Sequence, residues 1–397
     1  MRQLERDVIV VGSGPSGAAA ASYCALQGLD TLLIDKDIWP RDRACSDIYA
    51  GNTLDHIKEL GAWNELIETA MIGSRSKIVS PENEETIIGS DSFPLFWVQE
   101  TSWVFDDLMR RTAIKHGAEM WQNCWVYDLI KKNGYIKGIK CKYQGEEIEI
   151  RSKIVIGADG SNSIIAKQAG IIPENPESYC IGIRAYFKNV DLDPKLRALG
   201  FNEFYFDKDN TPNYFWISPS GKYGLSHGFC NIGMYINTNN NNKESSKEEL
   251  VKVIENWMKN SPCVEQFKNA HQCSPWKIWK IPNQNQKIKN YGNGFMLIGK
   301  AGANGIPFVN ECLSTSMDSA KFAAEAAKIA IDKNNYSEYI FYNYYSSKLL
   351  KKYNDKVKTF NFAKESFVDP SVSTKLIHKF NEDEEFKEKF FKEIFKN

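Results

Sequence analysis

At 397 residues the chain is too long for one minimal core, and 42% apolar with 13% aromatic content describes closely joined globular domains, not a disordered chain. Its 50 basic and 50 acidic residues cancel, so no net field is available to hold a polyanion, and nucleic acid is not expected as a partner. No run of eighteen apolar residues spans a bilayer, and nine scattered cysteines without a CxxC pair predict reduced thiols in a cytoplasmic setting, with no disulfide framework and no metal site.

The opening Met1-Arg2-Gln3-Leu4-Glu5-Arg6 runs directly into a strand and leaves no room for a secretory leader. Asp7–Val11 is a β-branched run ending in glycine, Ala18–Leu26 an alanine-rich helix and Thr31–Asp35 a second strand. Residues 53–69 predict one helix with Leu54, Ile57, Leu60 and Leu66 on one face, and Phe105–His116 another, closed by Gly117. Tyr135–Tyr143 and Glu147–Ile150 flank a Gln144-Gly145 turn as a hairpin, and Lys153–Ile156 predicts a further buried strand. Strand patterns dominate from 176 to 236, notably Tyr205–Ile217 and Gly224–Ile236, and the polar run Asn237–Asn242 predicts a surface loop. Phe295–Ile298 is a last buried strand before the chain turns helical, and no internal repeat occurs. This order predicts an α/β fold. A Rossmann-like domain is assembled from residues 1–75, 101–175 and 286–332, a β-sheet substrate domain from 76–100 and 176–285, and a helical segment covers 333–397.

The chemistry begins at Gly12-Ser13-Gly14-Pro15-Ser16-Gly17, between a strand and a helix. Gly12 permits the tight turn, Gly14 lets backbone approach a pyrophosphate, and Gly17 allows close helix–strand packing; the helix start at Pro15 and Ser16 offers N–H donors and positive dipole. Asp35, at the end of the second strand, is placed to accept from a ribose diol, and Lys36 beside it joins the candidate cofactor contacts.

Three further segments carry a resemblance. Gly157-Ala158-Asp159-Gly160-Ser161-Asn162-Ser163 follows a strand and is similar to the GADGxxS marker of the FAD-dependent group around para-hydroxybenzoate hydroxylase. Pro40-Arg41-Asp42-Arg43-Ala44-Cys45-Ser46-Asp47 resembles the PRDKxCGD stretch of the geranylgeranyl reductase family, in which a cysteine lies near the flavin ring. Tyr214-Phe215-Trp216-Ile217-Ser218-Pro219 is similar to the YxWxFP segment lining the reductases' substrate cavity, with Ser218 in place of phenylalanine. With Met296-Leu297-Ile298-Gly299 and Phe308-Val309-Asn310, the resemblance covers about residues 7–330.

The chain also departs from the family. Gly299-Lys300-Ala301-Gly302-Ala303 stands where the family has GDAAG, so Lys300 replaces an aspartate that contacts the ribityl chain. Arginines expected before Phe105-Asp106 and after the GADGxxS segment are missing, and Glu311-Cys312-Leu313-Ser314 replaces a run rich in glycine and proline. Each lost contact is worth about 1–3 kcal/mol where buried.

The resemblance implies FAD as cofactor, with Gly12, Gly14, Pro15, Ser16, Gly17, Asp35, Lys36, Arg41, Arg43, Asp159, Gly160, Gly299 and Lys300 as its contacts. It implies reduction of isolated C=C bonds in a polyprenyl chain. Cys45 is then a partly exposed thiol that supplies the proton, and Tyr214, Trp216 and Pro219 line the cavity. No second dinucleotide fingerprint occurs, so NAD(P)H, ferredoxin or a reductase partner would reduce the flavin transiently. Two other readings fit the same residues: a flavin-dependent halogenase or hydroxylase acting on an aromatic compound, and a non-catalytic homologue with weakened flavin binding. Phe215-Trp216-Ile217-Ser218-Pro219 is also similar to the halogenases' WxWxIP segment, but those enzymes carry Gly-Glu-Ser where Cys45-Ser46-Asp47 stands. Lys77, weighed as a halogenase lysine, lies in a reductase-like setting, and His227 reads as structural. Phe386, Phe390, Phe391, Ile394 and Phe395 form one face of an amphipathic helix, suited to docking on the chain itself or to resting on a membrane or capping a lipid tunnel.

Overall fold

The computed structural model describes residues 4–89, 97–171, 179–194, 201–207, 214–237, 246–282, 288–302, 313–354 and 369–395. Phe308–Asn310, Glu311, Cys312 and most of the Asn237–Asn242 run lie outside these residues.

In the first sheet the strand Leu4–Val11 lies between Glu146–Gly157 and Thr31–Ile34, parallel to both, with Val11 opposite Gly157 and Ile34. Phe295–Leu297 extends the sheet on one side and Glu119–Trp121 on the other. Val8, Ile9 and Val10 are fully buried, as a strand covered on both faces requires. Helix Pro15–Leu26 covers one face, and Ala18 to Ala21 within it are all buried. It packs on helix Leu313–Asp332, whose Ala320, Ala323, Ala324 and Ala327 let the two backbones approach closely. Glu146–Gly157 is one continuous strand where two were predicted. Its first half pairs with Tyr135–Tyr143 through the Gln144-Gly145 turn, both residues left-handed, and its second half with Leu4–Val11.

The second sheet packs its back face around Ile183, Phe215, Ile217, Ile232 and Met234, under helix Lys247–Asn260. Three predicted elements differ in detail. Residues 53–69 form two helices, Thr53–Glu59 and Trp63–Thr69, because Gly61 takes a left-handed φ of 71° between them. The predicted strand Tyr205–Ile217 is two antiparallel strands, Phe201–Phe206 and Tyr214–Pro219. Gly224–Ile236 begins as the end of helix Gly221–His227, which Gly228 terminates in the left-handed region before strand Cys230–Asn237. The strand pattern misled here because Gly224 is needed where the Phe229 carbonyl fills the space of a Cβ.

The C-terminal helices Pro370–Glu382 and Glu384–Phe395 dock on the second sheet: Ile377, Phe380 and Phe391 are buried with Ile78 and Ile88, and Phe386 and Phe390 pack against them. The described part of this apolar face is spent on the chain itself. Among the described residues no helix is long and apolar enough to cross a membrane.

One buried polar lock ties the helices of the first domain together. Asp318 accepts from His56 Nε2 at 2.9 Å and Asn52 Nδ2 at 2.7 Å, pairs with Lys352 at 2.6 Å and also accepts from Tyr353; His56 Nδ1 meets the Tyr23 hydroxyl at 2.7 Å. Burial alone would raise the Asp318 carboxyl, but His56, Lys352 and Tyr353 hold it far below the usual carboxylate range. A depressed folded-state value stabilises the protein above the unfolded carboxyl's titration near pH 4 and is lost as pH falls through the folded value. Asp318→Asn is therefore expected to cost about 3 kcal/mol at neutral pH and to flatten the fall in melting temperature below pH 4, as read by thermal melts of both proteins from pH 3 to 7.

Candidate active site

The glycine loop is shaped by its neighbours. Gly12 has φ 99°, and a Cβ there would overlap the Ala158 carbonyl; a Cβ on Gly17 would overlap the carbonyl of Gly12. Gly14 is different: a Cβ there would meet only Arg41 Nη2, at 3.7 Å, so its outer side is open. The helix it caps begins with Pro15, has no side-chain cap and carries no acid in its first turn, so Ser16 and Gly17 present N–H donors to that opening. Asp35 is buried and braces the loop: one oxygen accepts from the Ser13 N–H at 2.8 Å and the Ser13 hydroxyl at 2.6 Å, the other from the Asp37 N–H at 3.0 Å. The oxygen that accepts only from Asp37 retains a lone pair for a ribose hydroxyl. Arg41 stacks on Trp39 with its guanidinium 4.5 Å from the ring centre, pairs with Asp37 at 3.3 Å and stands 3.8 Å from Asp35. Lys36 is exposed.

Two distant segments complete this end. The Gly299–Gly302 turn sits on the glycine loop, a Cβ on Gly299 falling 2.7 Å from Ser16 Oγ, so Lys300 follows directly on a residue that touches this loop. Asp159 accepts from Ser163 Oγ at 2.6 Å and from the N–H groups of Ile164 and Ile165 at 2.7 and 3.2 Å. It thereby starts helix Ile164–Gln168 and fixes the Ala158 carbonyl under Gly12; beside it Gly160 is left-handed with open space around it. An open donor-rich helix start, a buried acid with one free acceptor site and an adjacent guanidinium fit the ADP half of FAD.

The segment after Arg41 bridges to the second sheet. Arg43 grips Asp106 through Nε and Nη2, at 2.6 and 3.1 Å, so its fork organises the loop around a carboxylate of the chain itself. Fully buried Arg184 donates to Asp42 and, at 2.6 Å, to the Arg43 carbonyl, while Lys277 pairs with Asp42 at 3.0 Å. Asp47 is completely buried with a left-handed φ of 64°. It accepts from Tyr186 Oη at 2.5 Å, Asn231 Nδ2 at 2.9 Å and the Ser102 N–H at 3.1 Å. Burial pushes its carboxyl up to about 6, against the opposing pull of Arg184, Tyr186 and Asn231. Cys45 is half-buried, its carbonyl accepts from Asn231 Nδ2 at 2.7 Å, and burial pushes its thiol up despite Arg43.

Trp216 and Tyr214 share the face of the sheet that carries Asn231, Arg184 and Tyr186. The Trp216 indole fills the space above Gly233 and donates to Asn231 Oδ1 at 2.9 Å; Tyr214 stacks on Tyr235 at 5.4 Å; Trp279 lies over Gly182. Buried Pro219 ends the strand beside Gly224. The hydroxyl of Ser218 and the amide of Asn202 are buried there without hydrogen-bond partners among the described residues. Lys77 belongs to the opposite face, paired with Glu85 at 2.8 Å and Glu203 at 3.9 Å and 5.9 Å from the Tyr205 ring. His227 is exposed, stacked on Tyr223 at 4.4 Å. Asp47, Arg184, Tyr186 and Asn231 were not among the expected site residues. Asp47 carried a signal, as the last residue of the Cys45 segment; the others meet it only through sheet register.

A dinucleotide end on the first sheet joined by one loop to an aromatic face on the second is the arrangement of an FAD-dependent oxidoreductase. The family described as the FAD binding domain matches residues 5–285. The digeranylgeranylglycerophospholipid reductase of Methanosarcina acetivorans is 31% identical over 340 residues, covering 83% of this chain and 77% of that protein, and the chain belongs to this reductase family within the FAD binding domain family. The reductase of the same name from Thermoplasma acidophilum is 28% identical over 87% of this chain and 83% of its own. Among solved structures, a geranylgeranyl bacteriochlorophyll reductase-like protein from Thermoplasma acidophilum superposes with a TM-score of 0.82 at 24% identity, covering 95% of this chain and 91% of that one. A flavin-dependent brominase superposes with a TM-score of 0.76 at 23% identity, covering 94% and 92%. These two likenesses show the fold.

Proposed function

We propose that the protein reduces isolated C=C bonds in the polyprenyl chains of a lipid. The observation that carries this reading is the position of Cys45, a neutral thiol on the loop that joins the FAD end to the aromatic face of the second sheet. FAD, bound and reduced by NAD(P)H, ferredoxin or a separate reductase, supplies hydride. The chain's own residues do the rest. Gly12 to Gly17, Asp35 and Arg41 hold the ADP half. Tyr214, Tyr235 and Trp279, half-buried around the buried Trp216, offer apolar surface to an isoprenoid and exclude water. Cys45 holds the proton at Sγ for the carbon that does not receive hydride. The names of the relatives favour a prenyl lipid with a polar head, and contact with the membrane that supplies it belongs to the same reading. The placement of Lys77 behind the sheet, on Glu85 and Glu203, weighs against the halogenase alternative.

The test uses protein reconstituted with FAD, reduced anaerobically and mixed with a geranylgeranylated phospholipid. A mass gain of two hydrogens per double bond is the expected result. Halogenation or hydroxylation of a phenol, with the lipid unchanged, would replace this reading with the rival one, and a colourless protein that takes up no FAD would overturn both.

A further inference from the structure

We propose that Asp47 is the positioning residue of Cys45: it anchors the cysteine's loop to the second sheet and sets a carboxylate charge beside the thiol. The inference rests on the reading of Cys45 as proton donor. Three elements converge on this carboxylate. Tyr186 and Asn231 reach it from neighbouring strands of the second sheet, and the Ser102 N–H from the start of helix Ser102–Lys115. Asn231 also holds the Cys45 carbonyl and receives the Trp216 indole, so one amide links the wall, the acid and the thiol's backbone.

The charges around it divide unequally. Arg43 pairs directly with Asp106, and Arg184 and Lys277 with Asp42, so Arg184 and Arg43 act on Asp47 only through space. The three donors to Asp47 are neutral, and no cation forms an ion pair with it among the described residues. Burial raises the Cys45 thiol most; Arg43 and the Asp47 N–H pull it toward thiolate, whereas the carboxylates of Asp47 and, more weakly, Asp106 oppose them, with Tyr49 the remaining titratable group beside them. Together with burial, a negative neighbour of this kind favours the protonated thiol that donation to a double bond uses. Buried ionisation and a left-handed backbone both cost stability, and such costs are retained where function needs them.

The measurement is the pH dependence of Cys45 alkylation by iodoacetamide in the FAD-loaded protein, read peptide by peptide by mass spectrometry. Asp47→Asn removes the charge at constant size and is expected to give about tenfold more thiolate at a given pH, moving the midpoint down by about one unit. Asp47→Glu should keep the midpoint near wild type. Tyr186→Phe removes an anchor but no charge and should leave it unmoved. The wild type needs no variant: its log-rate profile should flatten near pH 6, where Asp47 ionises, and resume its slope above. A wild-type profile of single slope, or equal midpoints in Asp47→Asn and wild type, would overturn the proposal. So would an equal shift in Tyr186→Phe. The alkaline limb of lipid reduction should move with the alkylation midpoint. If alkylation shifts and turnover does not, the Asp47–Cys45 coupling stands and the assignment of Cys45 as the acid fails.

Discussion

Replacing Cys45 with alanine is expected to lower steady-state reduction of a prenyl lipid by about 10²–10⁴-fold while FAD remains bound. The loop does not depend on the thiol for its shape. Its anchors are main-chain or belong to neighbours: the Cys45 carbonyl on Asn231, the Arg43 carbonyl on Arg184 and Ser102, and the Arg43 fork on Asp106. A half-buried sulfur removed from such a frame costs about 1 kcal/mol of stability or less. The loss should therefore fall on turnover, with the flavin spectrum and melting temperature near those of the wild type. Cys45→Ser tests the same point with a group of similar size whose hydroxyl is far less acidic. Rates within a few-fold of wild type in both variants would show that the proton comes from elsewhere.

The second large effect is a contrast between two glycines of one loop. Gly17→Ala forces a methyl into the Gly12 carbonyl and to 3.1 Å from Ala158 Cβ, and two of the three nearest atoms are backbone that cannot swing aside. Overpacking of this kind costs about 1–3 kcal/mol, and it deforms the loop, so both the apoprotein's melting temperature and FAD binding should fall. Gly14 already has an ordinary extended conformation, φ −63° and ψ 179°, and its added Cβ would meet only a flexible guanidinium. Gly14→Ala should leave the apoprotein's melting temperature within a few degrees, apart from a modest capping loss. It should nevertheless abolish the rise in melting temperature that saturating FAD produces, because the methyl occupies the face a pyrophosphate approaches. Equal FAD-induced shifts in Gly14→Ala and wild type would mean that the phosphates lie elsewhere.

The energetic cost at Asp47 explains why the site was only half legible. Apolar runs such as Val8–Val11 and Leu32–Ile34 announce buried strands because their burial is a property of the run itself. The glycine loop is equally local: Gly12, Gly14 and Gly17 act within one turn, and their spacing pointed to a phosphate-binding helix start. The motif around Cys45 also pointed to the flavin side, but its geometry is not local. Arg43 had a charge and no visible partner; its partner, Asp106, is 63 residues away. Asn231 is 184 residues from Asp47 and reaches it through strand register. Breaks at Gly61 and Gly228 were likewise hidden, since a glycine in an apolar pattern declares freedom of φ but not the direction the chain takes.

Two kinds of information are therefore separable in this protein. Residue order by itself determined the class: a Rossmann-like FAD domain, an inserted strand-rich unit and a reductase-like cysteine segment, because periodicity, glycine spacing and strand–turn–helix order act over short stretches. Tertiary structure alone decided which charges meet. It clamped Arg43 on Asp106, placed Lys77 behind the second sheet, spent the described part of the C-terminal apolar face on Ile78 and Ile88, and gathered Tyr186, Asn231 and Ser102 around Asp47. The physical reason is that a side chain's environment depends on sheet register and on partners far away in the chain, and a buried charge acquires its proton affinity only when those partners are in place.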